Sequence, residues 1–236
     1  MVRKGFAILL WVAMLALPSF AGTTEEERLL DCGVALKQAL DVPERIPQSL
    51  LDKAECVIVI PSVKKAAFFV GGSYGRGAMS CRTGEHWNGP WSSPSMYALE
   101  GGSFGFQIGG EATDLILLVV NPSGAISLLN SKVKLGADVS AALGPLGRTS
   151  QADTDIAMRA EILTYSRSEG LFAGISLDGS TLRPDGQANR NLYGHDIEAA
   201  GIVRKGIART PKAALNMLAE LNKRSPKNLS DPKSLE

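Results

Sequence analysis

The 236-residue sequence predicts an α+β fold: a strongly curved, mainly antiparallel β-sheet or barrel-like core with N-terminal and C-terminal helices. Three observations carry this expectation. Helical patterning is confined to the two ends of the chain, residues 23–55 and 184–236. The middle, residues 56–183, is filled by short apolar runs joined by turns such as Asn121-Pro-Ser-Gly124, Ser168-Glu-Gly170 and Asp178-Gly179. Links this short favour antiparallel pairing, because a parallel crossover needs about a dozen residues or more. The strand-like segments are also rich in glycine, which allows a sheet to bend sharply.

The first 21 residues read as an export signal. Arg3 and Lys4 form a charged start, Phe6 to Leu17 is apolar, and Ser19-Phe20-Ala21 places small residues before Gly22. The apolar run falls short of the roughly 20 residues that span a bilayer. No cysteine follows the cleavage point directly, so lipid attachment there is not expected. The sequence therefore divides into a signal peptide at 1–21, a single domain at 22–224 and a loose polar tail at 225–236. The expected location is exported, periplasmic or secreted.

Thr24 and Glu27 fit a capping box, three glutamates sit where a helix dipole favours them, and Leu29, Leu36 and Leu40 recur at helical spacing. Pro43 ends that helix, and Pro47 suits the start of a short second one reaching about Ala54. Strand candidates follow at 56–60, 66–70, 78–82, 103–109, 115–120, 133–139, 161–165 and 171–177. Residues 115–120 are apolar at every position, which predicts cover on both faces of that strand. Ala125 to Asn130 fits either a strand or a helical turn. Helical turns are expected at 184–193 and 197–205, and 211–224 is amphipathic, with Ala214, Met217, Leu218 and Leu221 on one face.

Charge and chemistry narrow the function. A net charge of +1 argues against nucleic acid as a partner. That balance hides a surplus of four acidic charges over 24–55 and of five basic charges over 201–236, which would neutralise each other if the two ends lie together. Two histidines, His86 and His195, leave little material for a metal site or a proton-shuttling enzyme, and neither a metal nor a cofactor is expected. Cys32, Cys56 and Cys81 allow at most one disulfide, whose pairing the sequence leaves open. Two segments match G-x-S-x-G, at Gly71–Gly75 and Gly101–Gly105. A hydrolase elbow needs a helix after its serine, yet strand-like sequence follows each one. The repetition reads as a glycine-rich β element, so Ser73 and Ser103 are not expected to be nucleophiles.

Eight ordered motifs carry a resemblance: Ile60–Val63, Gly71-Gly-Ser-Tyr-Gly-Arg-Gly77, Trp91-Ser-Ser-Pro94, Gly101–Gly109, Thr113–Leu117, Lys134–Asp138, Gly144-Pro-Leu-Gly-Arg148 and Tyr165–Ile175. Over roughly residues 24–224 the chain resembles the SYLF domain family, a lipid-binding domain also named for yeast actin-associated proteins. The resemblance implies a non-enzymatic module that associates with anionic phospholipid or a membrane surface; a structural or protein-interaction role in the cell envelope, with an envelope protein partner, is the alternative. Candidate lipid contacts are Lys64, Lys65 and Arg76, beside a strand connection and a glycine-rich loop, and Arg148 in another glycine-flanked loop. Arg204, Lys205, Arg209 and Lys212 form a competing basic cluster. The export signal and the lack of an appended adaptor domain lead to the expectation that actin is not a partner.

Overall fold

In the computed structural model, the described residues are 24–42, 46–66, 72–102, 113–146, 160–168 and 171–230. The cleavage site, Ser103, the strand expected at 103–109 and Arg148 lie outside them. The chain opens with helix α1 (Glu25–Asp41), capped as the sequence predicts: Glu27 N–H donates to Thr24 Oγ1 at 3.2 Å, and Thr24 N–H to Glu27 Oε2 at 2.8 Å. A short α2 (Gln48–Asp52) follows. Four strands come next, β1 (Cys56–Ala66), β2 (Gly72–Cys81), β3 (Ser95–Gly102) and β4 (Thr113–Val119). The segment that fitted strand or helix is α3 (Pro122–Asn130), started by Asn121, whose Oδ1 accepts from Ser123 N–H. Then come β5 (Val133–Lys134), β6 (Ala141–Leu143), β7 (Ile162–Ser168), β8 (Leu171–Gly174) and β9 (Thr181–Pro184). Helices α4 (Gly186–Tyr193) and α5 (Ala199–Val203), a 3-10 turn at Lys212–Ala214 and α6 (Leu215–Arg224) close the described fold.

The strands form one strongly curled half-barrel sheet in the order β5-β9-β3-β2-β1-β4-β7-β6, with β8 also on β7. All pairings are antiparallel except β6 with β7. Side chains alternate across a strand, so the central strands feed two cores. Val57, Val59, Ile116 and Leu118 pack on one face with Leu36 and Leu40 of α1 and Leu221 of α6. Ile58, Ile60, Leu115 and Leu117 pack on the other with Leu128 of α3 and Ile202 of α5. This is why β4 is apolar at consecutive positions: both of its faces are covered.

The oppositely charged ends do lie together. Helix α1 packs on α6, and Gly33 lets them approach, since a Cβ there would sit 3.1 Å from Asn216 Cβ. Arg224 pairs with Asp41 across this contact, and Lys37 pairs with the same carboxylate within α1. Gly75, which ends the first G-x-S-x-G run, and Gly77 just after it serve a similar purpose inside the sheet. A Cβ on Gly77 would fall 1.9 Å from the Val59 carbonyl oxygen, just before a register shift between Val59 and Lys64. The open cysteine question resolves to a Cys56–Cys81 disulfide across paired positions of β1 and β2. Cys32 is free and fully buried, and burial pushes its thiol up to about 12.

Candidate functional site

The first G-x-S-x-G serine sits in no nucleophile elbow. Ser73 lies inside β2, opposite Gly101 of β3, and is only 5% exposed, with Oγ 3.4 Å from the Gly101 carbonyl. A strand continues after it rather than a helix. Among the described residues no three His, Cys, Asp or Glu side chains are grouped to hold a metal ion. An open cleft of about 740 Å³ is lined by Leu129, Arg183, Asn189 and Arg190, among others. Its arginines are committed internally, Arg183 to Glu100 at 2.6 Å and Arg190 to Asp196 at 2.5 Å.

The predicted lipid contacts fall in different settings. Lys64 and Lys65 are in β1, paired in register with Tyr74 and Ser73. Arg76, two residues along β2, is engaged in the fold: its Nε donates to Asp185 Oδ2 at 2.7 Å and its Nη2 to Glu25 Oε1 at 3.2 Å. Asp185 is also the N-cap of α4, and Glu25 opens α1, so one guanidinium ties β2 to two helices. Nothing local in the sequence announces this, because the two carboxylates are 109 and 51 residues away.

The competing basic cluster is displayed differently. Arg204 stacks on Trp87, with its guanidinium carbon 3.9 Å from the ring centre, and donates to the Glu85 carbonyl at 3.1 Å. Further along, Ser93 Oγ lies 2.7 Å from Thr210 Oγ1 and 3.3 Å from the Ala208 carbonyl, pinning the loop. Between and beyond these anchors Lys205, Arg209 and Lys212 are exposed, and none of the ion pairs among the described residues takes them. Two aliphatic side chains are exposed in the same stretch, Ile207 at 65% and Leu215 at 55%. Cations beside exposed apolar groups on an anchored loop suit an anionic interface with an apolar interior.

A second constellation went unread in the sequence. Glu55 and Arg82 flank the disulfide at the ends of β1 and β2, and both are fully buried. Arg82 stacks on Trp91 at 4.1 Å and donates through Nη2 to the Ser225 carbonyl at 2.8 Å. The indole of Trp91 donates to that carbonyl too, at 3.0 Å. Glu55 faces the chain beyond α6: Asn228 Nδ2 donates to its Oε2 at 2.7 Å, and Ser230 Oγ lies 2.9 Å from its Oε1. Burial pushes the Glu55 carboxyl up to about 7, against the pull of those hydrogen bonds and of Arg82 and Arg204. Burial likewise pushes Arg82 down to about 10, where it remains charged at neutral pH. The tail expected to be loose is thus bound as far as Ser230.

Comparison with known proteins gives these features a setting. Residues 100–224 match the Ysc84 family, described as "Las17-binding protein actin regulator". An SH3 domain-containing protein of Schizosaccharomyces pombe is 35% identical over 199 residues, which is 83% of this chain and 45% of that protein. LAS seventeen-binding protein 3 of Saccharomyces cerevisiae is 31% identical over 207 residues, covering 86% of this chain and 44% of that protein. The SH3 domain-containing YSC84-like protein 1 of Xenopus laevis is 39% identical over 153 residues, covering 64% and 44% respectively. The chain spans a little under half the length of these relatives. The expectation that actin is not a partner is corrected by these matches. It rested on the export signal and the lack of an appended domain, whereas the family described as an actin regulator is matched within this domain itself, over residues 100–224.

Proposed function

This chain belongs to the Ysc84 (SYLF) family, and on that footing we propose that it is a non-enzymatic binding module whose 204–215 segment docks reversibly on anionic membrane surfaces. The observation that carries this reading is the anchored loop in which exposed Ile207 and Leu215 alternate with Lys205, Arg209 and Lys212. Each basic side chain near an anionic surface contributes about 1 kcal/mol. Three supply about 3 kcal/mol, weaker than a millimolar site by themselves. Partial burial of two aliphatic side chains adds about 1–3 kcal/mol more. Attachment is then weak, and its electrostatic share fades as added salt shortens the Debye length.

Co-sedimentation with anionic and neutral vesicles at low and high salt tests this. Binding is expected to anionic vesicles only, to weaken with salt, and to fall at least about tenfold when Lys205, Arg209 and Lys212 are replaced by serine. Equal sedimentation of the triple variant and the wild type would overturn the assignment to this loop. Turnover of short-chain esters that Ser73→Ala abolishes would overturn the non-enzymatic reading. Export belongs to the proposal as well, with an intact mass beginning at Gly22; recovery of a dominant species retaining Met1 would remove it.

The family description and the name of the budding-yeast relative favour a second reading, a protein partner from the actin-regulating machinery. Sedimentation with actin filaments, and with an actin regulator of the Las17 type, separates the two. Binding to protein that survives the triple serine replacement, with no vesicle binding, would make the second reading the better one.

A further inference from the structure

The chain beyond α6 is held to the body of the fold by side chains that read its backbone. Gln48 Nε2 donates to the Arg224 carbonyl at 2.6 Å, and Arg82 and Trp91 converge on the Ser225 carbonyl. Ser225 Oγ donates to the Leu51 carbonyl at 3.2 Å, and Leu229 N–H donates to the Asp52 carbonyl at 2.7 Å. Asn228 Nδ2 donates to the Trp87 carbonyl at 2.9 Å as well as to Glu55. Trp87 is itself in the left-handed region, at φ 52°, a conformation that a bulky side chain adopts only where its surroundings impose it. Residues 225–230 therefore form a strap across the corner that Glu55 and Arg82 occupy.

One group in this corner has more acceptors than protons. Ser230 Oγ lies 2.9 Å from Glu55 Oε1 and 2.9 Å from the Lys53 carbonyl, and a hydroxyl carries a single proton. With Glu55 ionised, both neighbours want that proton and one acceptor goes without. With Glu55 protonated at Oε1, the carboxyl donates to Ser230 Oγ, the hydroxyl donates to Lys53, and Oε2 still accepts from Asn228. The Glu55 carboxyl, the Ser230 hydroxyl and the Lys53 carbonyl are then all paired. A buried acceptor left without a donor costs free energy that solvation would recover.

We propose that the strap is a proton-operated latch: it closes over protonated Glu55 and opens as Glu55 ionises, uncovering Arg82 and Trp91. The sign follows from linkage. A carboxyl whose value is raised in the closed form and ordinary in the open, solvated form favours closure at low pH, and that advantage is lost as pH rises through about 7. The charges that act on it are Arg82, just after β2, and Arg204, just after α5; the other charged or titratable residues of the neighbouring segments are Asp52 and Lys53 at the end of α2, Glu85 and His86 in the loop after Arg82, and Lys227 in the strap itself. Of these, His86 is the one histidine, and its replacement serves as the control.

Hydrogen exchange on the full chain tests the latch, with the Leu229 amide followed as a protection factor so that the intrinsic pH dependence of exchange cancels. Protection is expected to fall on the order of tenfold between about pH 5.5 and about pH 8. Glu55→Gln should abolish that fall, whereas His86→Gln should retain it. Equal wild-type protection at both pH values would overturn the proposal. So would a fall that persists in Glu55→Gln or disappears in His86→Gln. Should Glu55→Gln fail to fold, Ser230→Ala with Asn228→Ala removes the same hydrogen bonds from the strap side. In that variant the Leu229 amide should be unprotected at both values, and a remaining pH-dependent step would overturn the latch.

Discussion

Gly77→Ala is expected to destabilise the fold by about 3 kcal/mol or more, measured by chemical denaturation. The added methyl would fall 1.9 Å from the Val59 carbonyl oxygen, 2.7 Å from Ile60 Cα and 2.8 Å from the Val59 carbonyl carbon. All three are backbone atoms of β1, the central strand, which is held on its far side by β4. No rotamer change relieves such a clash, so the strands must separate. Gly75 provides a comparison on the same strand. There the added atom meets side-chain carbons of Ile60 and Val63, at 2.6 and 2.8 Å, which can turn aside in part. Gly75→Ala should therefore cost less than Gly77→Ala. Gly186, at the start of α4, has nothing within 4 Å and an ordinary φ, so alanine there should be neutral or stabilising by up to about 1 kcal/mol. A Gly77→Ala protein that unfolds at the same denaturant concentration as the wild type would mean that the approach of β1 and β2 is not as close as described.

Removing the Cys56–Cys81 disulfide is the second change expected to have a large effect. The bond closes a loop of sequence separation 25, for which chain entropy gives about 3.5 kcal/mol. In a domain of this size that corresponds to roughly 7–14 °C in melting temperature. Cys56→Ala with Cys81→Ala should show the full loss. Both sulfurs are in fully buried residues, so a reductant should reach them only after opening, and the native protein should resist mild thiol treatment that the unfolded chain does not. An unchanged melting temperature in the double variant would contradict this account.

The parts of the fold legible in the sequence were those fixed by neighbours in the chain. The Thr24–Glu27 capping box formed as read, because both partners lie within one helical turn. The unbroken apolar run at 115–120 correctly announced a strand covered on both faces. Strand β3 was missed. Met96, Tyr97, Ala98 and Leu99 are buried in succession, so no alternation marked them, and the glycine-rich stretch after them drew the strand assignment instead. Arg76 illustrates the limit at the candidate site. Beside a glycine-rich loop it looked like an exposed cation, and only folding brings Glu25 and Asp185 to it. The exposure of Lys205, Ile207 and Arg209 is likewise a property of the anchored loop, set by Trp87 and Ser93 from more than 100 residues away. Glu55 and Arg82 had one local sign, their places immediately outside the two cysteines that pair. That sign had no meaning until the pairing was known.

The contact between α1 and α6 has a mechanical consequence. Tension applied between residues 24 and 230 would reach the strap first and peel its hydrogen bonds from Glu55, Trp87 and the end of α2 one after another. The load would then pass to the seam where α6 lies on α1, and to the Arg224–Asp41 pair that bridges it. Only after that seam parted would force fall on the strands, and there the disulfide would keep the chain between Cys56 and Cys81 from extending at all. The two ends of the domain are thus fastened to each other outside the stretch that the disulfide closes.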